Sequence, residues 1–221
     1  LAVGASPIRL PISGDAASEV YAINSLIHYK TFHAALAQKD QKRVLLLGAG
    51  LIGCEFANDL LTTDHDVTVV DLAPRPLGRL LPEKVATAFQ EQLEAKGIHF
   101  ALGTTVQSIE HVPTGLKVSL ANGLTFEVDI VLSAVGLKPN TELAHAADLT
   151  INRGIQVDQS LQTCYPDIYA MGDCAEVEGH LLPYVMPLMQ QARALAQTLT
   201  GNPSLVHYPA MPVSVKTPAA P

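Results

Sequence analysis

Apolar positions follow two alternating patterns in the first half of the chain. A short continuous apolar run stands at 43–47, and such a run is typical of a strand that is buried on both faces of a parallel sheet. The valines of 66–71 indicate the next strand. At 51–63 and 82–96 the apolar residues recur at helical spacing, which indicates amphipathic helices. Because strand and helix alternate here, we predict an α/β fold built on a parallel sheet.

After Gly97 the pattern changes to short strands separated by turns. The turn signals are Pro113 to Gly115 and the pair Asn122-Gly123, which is a favoured hairpin turn. This stretch predicts short strands at 98–102, 106–111, 116–120 and 125–128, and the hairpin turn indicates a small antiparallel β-element.

Apolar patterns elsewhere predict further elements. They are a helix at 24–39 with Leu26, Ile27, Phe32 and Leu36 on its apolar face, strands at 128–136 and 168–173, and a helix at 187–199. The first helix is expected to begin at a cap, Asn24 or Ser25, and to stop at a polar break over residues 39–42.

Two stretches of the chain repeat one short pattern. Leu1 to Pro7 and Ser133 to Pro139 both contain Ala-Val-Gly-x-x-Pro, and they stand on either side of the alternating α/β region. The simplest interpretation is an inserted domain: the chain leaves one domain after the first copy and re-enters it at the second.

Composition and charge narrow the class of protein. The 221 residues are 48% hydrophobic and 16% charged, which is typical of a folded globular chain. A net charge of −7 without any Lys/Arg run argues against nucleic-acid binding, since phosphate neutralisation requires a basic stripe. No apolar run approaches the roughly 18 residues of a membrane span.

The cysteines and histidines indicate neither disulfides nor metal. Cys54, Cys164 and Cys174 form no Cys-x-x-Cys pair, and their odd number argues against a disulfide framework or a zinc site. The eight histidines have no metal-ligand spacing. We expect buried thiols in a cytoplasmic protein and no bound metal.

A glycine-rich turn follows the first buried strand. The run 48–53, Gly-Ala-Gly-Leu-Ile-Gly, opens the helix at 51–63, and Asp71 ends the next strand, 23 residues after Gly48. In a dinucleotide-binding βαβ unit the first glycine permits the turn, the second admits the pyrophosphate and the third lets helix and strand pack. The helix N-terminus offers N–H groups and a positive dipole end to the phosphates. The unit therefore predicts NAD binding.

The end of the second strand indicates which dinucleotide is bound. A carboxylate at Asp71 can accept hydrogen bonds from both adenosine ribose hydroxyls and would repel a 2′-phosphate, which favours NADH over NADPH. Arg75, four residues later, could instead meet such a phosphate. Glu55 has two open interpretations, a favourable position at the positive end of the helix dipole or contact near the nicotinamide.

These motifs resemble those of a known family. Residues 44–57 resemble the NAD domain of the two-dinucleotide-binding-domain flavoprotein reductases, of the pyridine nucleotide-disulfide oxidoreductase type, whose pattern G-x-G-x-x-G-x-E-x-A includes Glu55. The repeated Ala-Val-Gly-x-x-Pro stretches are similar to that family's paired A-T-G motifs, with Val3 and Val135 in place of Thr. Residues 163–173 are similar to its second FAD motif.

The resemblance is strongest to the rubredoxin-reducing members of that family. It implies an FAD flavoprotein of electron transport that takes hydride from NADH and passes single electrons to rubredoxin, with ferredoxin as the second candidate acceptor. It implies no catalytic residue and no metal, because the cofactors carry the chemistry. The cofactor-binding residues that it implies are Gly48, Gly50, Leu51, Ile52, Gly53, Glu55, Asp71, Val135, Gly136, Gly4, Asp173, Tyr184, Val185 and Lys216.

Individual roles follow from the same resemblance. Asp173 would bond the ribityl chain of FAD, and residues 184–187 would bring a helix N-terminus to the flavin pyrimidine ring. Glu55 would lie near the stacked nicotinamide and flavin rings. Lys216 would lie near the flavin and the surface that faces rubredoxin.

The resemblance also implies a domain plan, in which a complete Rossmann-like NAD-binding domain is inserted into a partial FAD-binding domain. The boundaries are 1–40 and 128–210 for the FAD-binding domain, 41–127 for the NAD-binding domain and 211–221 for the start of a C-terminal domain. The family's first FAD-binding unit is expected before residue 1, so this chain is expected to bind NAD and to hold FAD only weakly. The alternatives are a disulfide or peroxide reductase of the same fold, and a non-catalytic NAD-binding fragment.

Overall fold

The computed structural model describes residues 1–38 and 42–220, in which short strands alternate with helices. The strands are β1 (Ala5–Pro7), β2 (Tyr21–Ala22), β3 (Arg43–Leu47), β4 (Asp66–Asp71), β5 (His99–Leu102), β6 (Val106–Val112), β7 (Gly115–Leu120), β8 (Thr125–Val128), β9 (Ile130–Ser133), β10 (Leu137–Pro139), β11 (Ile155–Val157) and β12 (Ala175–Val177). The helices are α1 (Leu26–Leu36), α2 (Leu51–Leu61), α3 (Glu83–Glu94), α4 (Glu142–Ala146) and α5 (Val185–Leu199), with short 3-10 helices at Ala17–Glu19 and Gly172–Cys174.

The chain forms two compact units. Unit 1 consists of Leu1–Ser6 and Leu137–Val213, and unit 2 consists of Pro7–Gly136 together with the residues from Ser214 onward. The chain leaves unit 1 after Ser6 and returns to it at Leu137, which confirms the predicted insertion of one domain into another. The units divide the chain at residues other than the predicted boundaries, because α1 packs into the core of unit 2 through Phe32.

Unit 2 is built on a five-stranded parallel sheet in the order β2-β9-β3-β4-β5. The side chains of β3 alternate between two cores, with Val44 and Leu46 in one and Leu45 and Leu47 in the other. Both faces of this strand are therefore buried, which explains its continuous apolar run.

Different elements cover the two faces of the sheet. Phe32 of α1, Leu60 of α2 and Leu93 of α3 share one core with Val44. The antiparallel sheet β6-β7-β8 covers the other face through residues such as Ile109. This arrangement confirms the predicted α/β fold and its small antiparallel element. Because β3 and β4 are parallel and paired, their carboxyl ends reach the same edge of the sheet.

Unit 1 contains the remaining short strands and two helices. Strand β1 pairs with β10, and β11 runs parallel to β12. Its core is formed by side chains that include Ile155, Leu161, Ala170, Cys174 and Ala194.

Two predicted elements differ from the structure. The strand predicted at 168–173 was wrong: Tyr169 makes only an isolated bridge with Gln162, and the chain then enters the 3-10 helix at Gly172–Cys174. One apolar residue of that stretch, Ala170, is buried in the core of unit 1 but belongs to no strand. The strand predicted at 128–136 is limited to β9, which ends at Ser133, and Gly136 beyond it adopts a positive φ of 111°.

The apolar face predicted for the first helix was only partly right. Ser25 caps α1 by accepting a hydrogen bond from the His28 N–H at 3.2 Å, and Phe32 is buried. Leu26 and Ile27, however, are 68% and 74% exposed, because α1 packs on the sheet through its second half. The polar break predicted at 39–42 lies outside the described residues apart from Lys42, as does the boundary predicted between residues 40 and 41.

Candidate dinucleotide-binding site

The glycine turn connects β3 to α2 at the carboxyl edge of the sheet. Gly48 has a φ of +105°, and a Cβ atom there would stand 2.6 Å from the carbonyl oxygen of Ala134. At Gly53 a Cβ atom would collide with the Gly48 carbonyl oxygen. The first and third glycines are therefore required for the turn itself and for the close approach of α2 to the sheet.

Gly50 is open toward solvent and suits a different purpose. Its φ is −78°, which any residue can adopt, and an added Cβ would meet no atom within 4 Å. Leu51 begins α2 directly after it, and the exposed Ile52 follows. The first N–H groups of a helix have no carbonyl partner within the helix, so this open space with donors beside it fits a pyrophosphate.

Asp71 is held against the glycine turn. One carboxylate oxygen, Oδ2, accepts the Ala49 N–H at 2.5 Å, and the other, Oδ1, accepts the Ala73 N–H at 2.7 Å. The two bonds fix the orientation of the carboxylate at the end of β4. Each oxygen keeps acceptor capacity for a further hydrogen bond, which is what two ribose hydroxyls require.

Glu55 and Lys216 are brought together. Glu55 lies on α2, and its Oε1 accepts the backbone N–H of Lys216 at 2.9 Å. One turn along the same helix, the buried Asn58 accepts the Ala219 N–H on its Oδ1, also at 2.9 Å. Asn58 was missed by the sequence analysis, and a polar residue between the apolar positions of α2 was the available signal.

The repeated Ala-Val-Gly stretches place both of their glycines at positive φ, 69° at Gly4 and 111° at Gly136. The Gly4 carbonyl accepts the Asn140 N–H at 3.0 Å, and the Asn140 side chain donates to the Val3 carbonyl at 2.8 Å. The Gly136 carbonyl, next to Val135, accepts the Ile8 N–H at 3.0 Å. Asn140 is thus a further structural residue that the sequence patterns did not indicate.

The residues predicted for flavin contact in unit 1 lie on two elements. Asp173 lies in the 3-10 helix, whereas Tyr184 is the N-cap of α5 and Val185 is its first residue, 75% exposed. A buried side chain on α5, Gln191, joins the two elements, because its Oε1 accepts the Gly172 N–H at 2.7 Å.

Gln191 is also bonded on its other side. Its Nε2 donates to the Tyr208 hydroxyl at 2.9 Å. Burial raises the pKa of Tyr208, although the hydrogen bond from Gln191 acts in the opposite direction. A polar residue on the apolar side of α5 was the sequence signal for Gln191.

The cysteines are free and differ in exposure. Cys54 and Cys174 are buried as predicted, but Cys164 is exposed. Burial, with the charges of Asp71 and Glu55, raises the pKa of the Cys54 thiol to about 12, so this thiol is protonated and unreactive at neutral pH.

Within residues 1–38 and 42–220, no His, Cys, Asp and Glu side chains group as metal ligands. None of the helices in these ranges has the length and apolar character of a bilayer span.

Two curated proteins that are similar to this chain over its whole length carry the same name. Rubredoxin-NAD(+) reductase of Acinetobacter baylyi is 60% identical over 223 residues, an alignment that covers 100% of this chain and 57% of the relative. Rubredoxin-NAD(+) reductase of Alcanivorax borkumensis is 48% identical, covering 100% of this chain and 58% of the relative. The chain therefore spans a little more than half the length of the curated relatives it matches.

A solved structure is similar over the same region. The ferredoxin reductase for the CYP199A2 system from Rhodopseudomonas palustris superimposes with a TM-score of 0.87 and 33% identity, over 94% of this chain and 53% of the other.

The family model described as pyridine nucleotide-disulphide oxidoreductase matches residues 1–198. That range contains the glycine turn, Asp71, both Ala-Val-Gly stretches and Asp173. The chain belongs to the pyridine nucleotide-disulphide oxidoreductase family.

Proposed function

We propose that this chain is the NADH-binding part, with an adjoining section of the flavin-binding part, of an FAD-dependent reductase that passes single electrons to rubredoxin. The observation that carries the proposal is the Asp71 carboxylate held 2.5 Å from the Ala49 N–H, within the glycine turn. A carboxylate at this edge of the sheet selects a dinucleotide whose adenosine ribose is unmodified.

The residues of unit 2 fit the pyrophosphate and the adenosine ribose of NADH. The open space at Gly50 and the first N–H groups of α2, those of Leu51, Ile52 and Gly53, would hold the pyrophosphate. Asp71 would accept the ribose hydroxyls. Gly48 shapes the turn that brings these groups to one edge.

The residues of unit 1 fit parts of a flavin. The half-buried Asp173 carboxylate has no hydrogen-bond partner among the described residues, so it is available to a ribityl hydroxyl. The 15-residue helix α5 begins at Val185 without a side-chain cap, so its N-terminal N–H groups would favour negative charge nearby. When bound, FAD would supply the conversion of a two-electron hydride into two single electrons.

Other cofactor assignments rest on the family resemblance alone. They are Gly4, Val135, Gly136, Glu55 and Lys216. The contact of Glu55 with a backbone N–H makes a role in positioning Lys216 the better-supported one for this carboxylate. The assignment of 41–127 to NADH, 1–40 and 128–210 to FAD, and 211–221 to a C-terminal domain is part of the same proposal, as is a cytoplasmic location.

Rubredoxin is the acceptor that the relatives support first. Two rubredoxin-NAD(+) reductases match the whole of this chain at 60% and 48% identity. The similarity to a ferredoxin reductase structure favours ferredoxin as the second candidate.

The test uses the full-length protein with its flavin. We expect NADH to bleach the visible flavin absorbance, and electrons to pass to rubredoxin faster than to ferredoxin. Failure to bind flavin or to consume NADH would overturn the proposal, and a faster reduction of ferredoxin would overturn its choice of acceptor.

A matched pair of variants tests the role of the Asp71 carboxylate at the glycine turn. Asp71→Asn should raise the Kd for NADH about tenfold, since hydrogen bonds to a charged group are worth about 1.5–3 kcal/mol. Asp66→Asn makes the same charge change at the opposite, exposed end of β4 and should leave the Kd unchanged. Equal effects of the two variants would count against the role of Asp71.

A further inference from the structure

The loop after β4 is fastened to the glycine turn at both of its ends. Asp71 accepts the Ala49 N–H at 2.5 Å, and six residues later the Leu77 N–H donates to the Ala49 carbonyl at 2.8 Å. The same alanine therefore anchors both ends of the segment 71–77. Arg75 lies within this closed loop, four residues after Asp71 in the sequence.

Arg75 is already paired within the chain. Its Nη1 is 3.1 Å from Oε1 of Glu83, and only a third of the Arg75 side chain is exposed. Glu83 is the first residue of α3 and follows Pro82. A carboxylate in the first turn of a helix is stabilised by the helix dipole, so the charged form of Glu83 that pairs with the guanidinium is favoured.

This pairing bears on the choice between NADH and NADPH. The two dinucleotides differ by one phosphate on the 2′ oxygen of the adenosine ribose, and an arginine near that oxygen is what accommodates this phosphate. The cations between β4 and α3 are Arg75 and Arg79. A 2′-phosphate would meet the Asp71 carboxylate and would find Arg75 occupied by Glu83.

We propose that Glu83 is a specificity-determining residue, which withholds Arg75 from a 2′-phosphate and so helps to keep the site selective for NADH. The inference rests on the proposed binding of NADH at the glycine turn. Asp71 discriminates directly through repulsion, whereas Glu83 acts through Arg75 and touches neither dinucleotide.

The size of the effect follows from the exposure of the pair. Glu83 is 72% exposed, and exposed ion pairs are weak, so removing the carboxylate should strengthen NADPH binding by about threefold to fivefold. NADH has no 2′-phosphate to engage the released guanidinium. Its affinity should therefore change little, and the ratio of the two dissociation constants is the informative quantity.

The experiment measures the Kd of NADPH and of NADH by calorimetry for the 221-residue chain and its variants. Glu83→Gln should lower the NADPH-to-NADH ratio of Kd values about threefold. Glu91→Gln makes the same charge change two turns along the same helix and should leave the ratio unchanged. In the double variant Glu83→Gln/Arg75→Met the gain should disappear.

The possible contrary results distinguish a failure of this inference from a failure of the proposed function. An unchanged ratio in Glu83→Gln, with NADH bound normally by the parent chain, would overturn this inference and leave the proposed function intact. A gain that survives in the double variant would assign the effect to Arg79 or to net charge, and would also overturn it. Failure of the parent chain to bind NADH would overturn both proposals.

Discussion

The carboxylate of Glu55 accepts the backbone N–H of Lys216 at 2.9 Å, although 161 residues separate them in the chain. One turn further along α2, Asn58 makes the same kind of bond to Ala219. Both polar side chains are thereby committed to the backbone of the segment 214–220, and Ala220 is buried in the core of unit 2. Glu55 therefore positions the backbone that carries Lys216.

Loss of Asn58 should release this segment. Asn58→Ala leaves the Ala219 N–H without its acceptor, and we expect the free energy of unfolding to fall by about 1–2 kcal/mol. Amide hydrogen exchange should accelerate at Ala219 and Lys216. Glu55→Gln is the control, since a glutamine carbonyl can still accept the Lys216 N–H. Unchanged exchange at both amides in Asn58→Ala would contradict this account of the segment.

The second and third glycines of the turn should respond differently to alanine. Gly50→Ala places a methyl group in open space, so stability should stay within about 0.5 kcal/mol, whereas NADH binding should weaken more than tenfold because the methyl group occupies the pyrophosphate position. Gly53→Ala would collide with the Gly48 carbonyl and should reduce thermal stability strongly. Calorimetric titration and thermal unfolding separate the two effects. Normal NADH affinity in a folded Gly50→Ala variant would contradict the assignment of this space.

Gln191 should contribute to the stability of unit 1 through its two hydrogen bonds. Gln191→Leu leaves the half-buried Gly172 N–H without its acceptor, and a cost of about 1–3 kcal/mol is expected. Urea unfolding measures the loss. Gln190→Leu changes the neighbouring, half-buried residue and should have a much smaller effect. If the two substitutions cost the same, the bond to Gly172 is not the cause.

Glu176 should make stability depend on acid pH. It is 1% exposed; burial raises its pKa, but bonds from the Gly154 N–H, the Asn152 amide and the Arg153 N–H outweigh burial, so the pKa is lowered from its ordinary value of 4.5. A carboxyl whose pKa is lower in the folded state stabilises fully above its unfolded pKa. That contribution is lost as pH falls below 4.5 through the folded value.

A matched pair of variants isolates this carboxyl. Glu176→Gln should be less stable than the parent chain at pH 7, and the gap should narrow as pH falls below 4.5. Glu142→Gln, at the exposed start of α4, should follow the parent chain at every pH. A gap that stays constant from pH 7 to pH 3 would refute the role of Glu176 in the acid dependence.

Local patterns in the sequence determined the elements that form the dinucleotide site. The bounds of β3 and β4 are those predicted, Arg43–Leu47 and Asp66–Asp71. The continuous apolar run of β3 is stable only where both faces of a strand are covered. The positive φ of Gly48 was likewise indicated by residue type, since glycine adopts it without a steric cost. The inserted domain was visible because a repeated pattern marks both of its ends.

Contacts between distant residues could be decided only by the tertiary structure. No spacing in the sequence pairs Glu55 with Lys216, Gln191 with Gly172 or Arg75 with Glu83, because each bond depends on how separate elements pack. The exposure of Leu26 and Ile27 is of the same kind: helical periodicity gives the apolar side of α1, but only packing decides how much of that side the core covers. The sequence by itself thus specified the βαβ unit and its glycines, and the packed chain decided which charged and polar side chains remain free to meet a ligand.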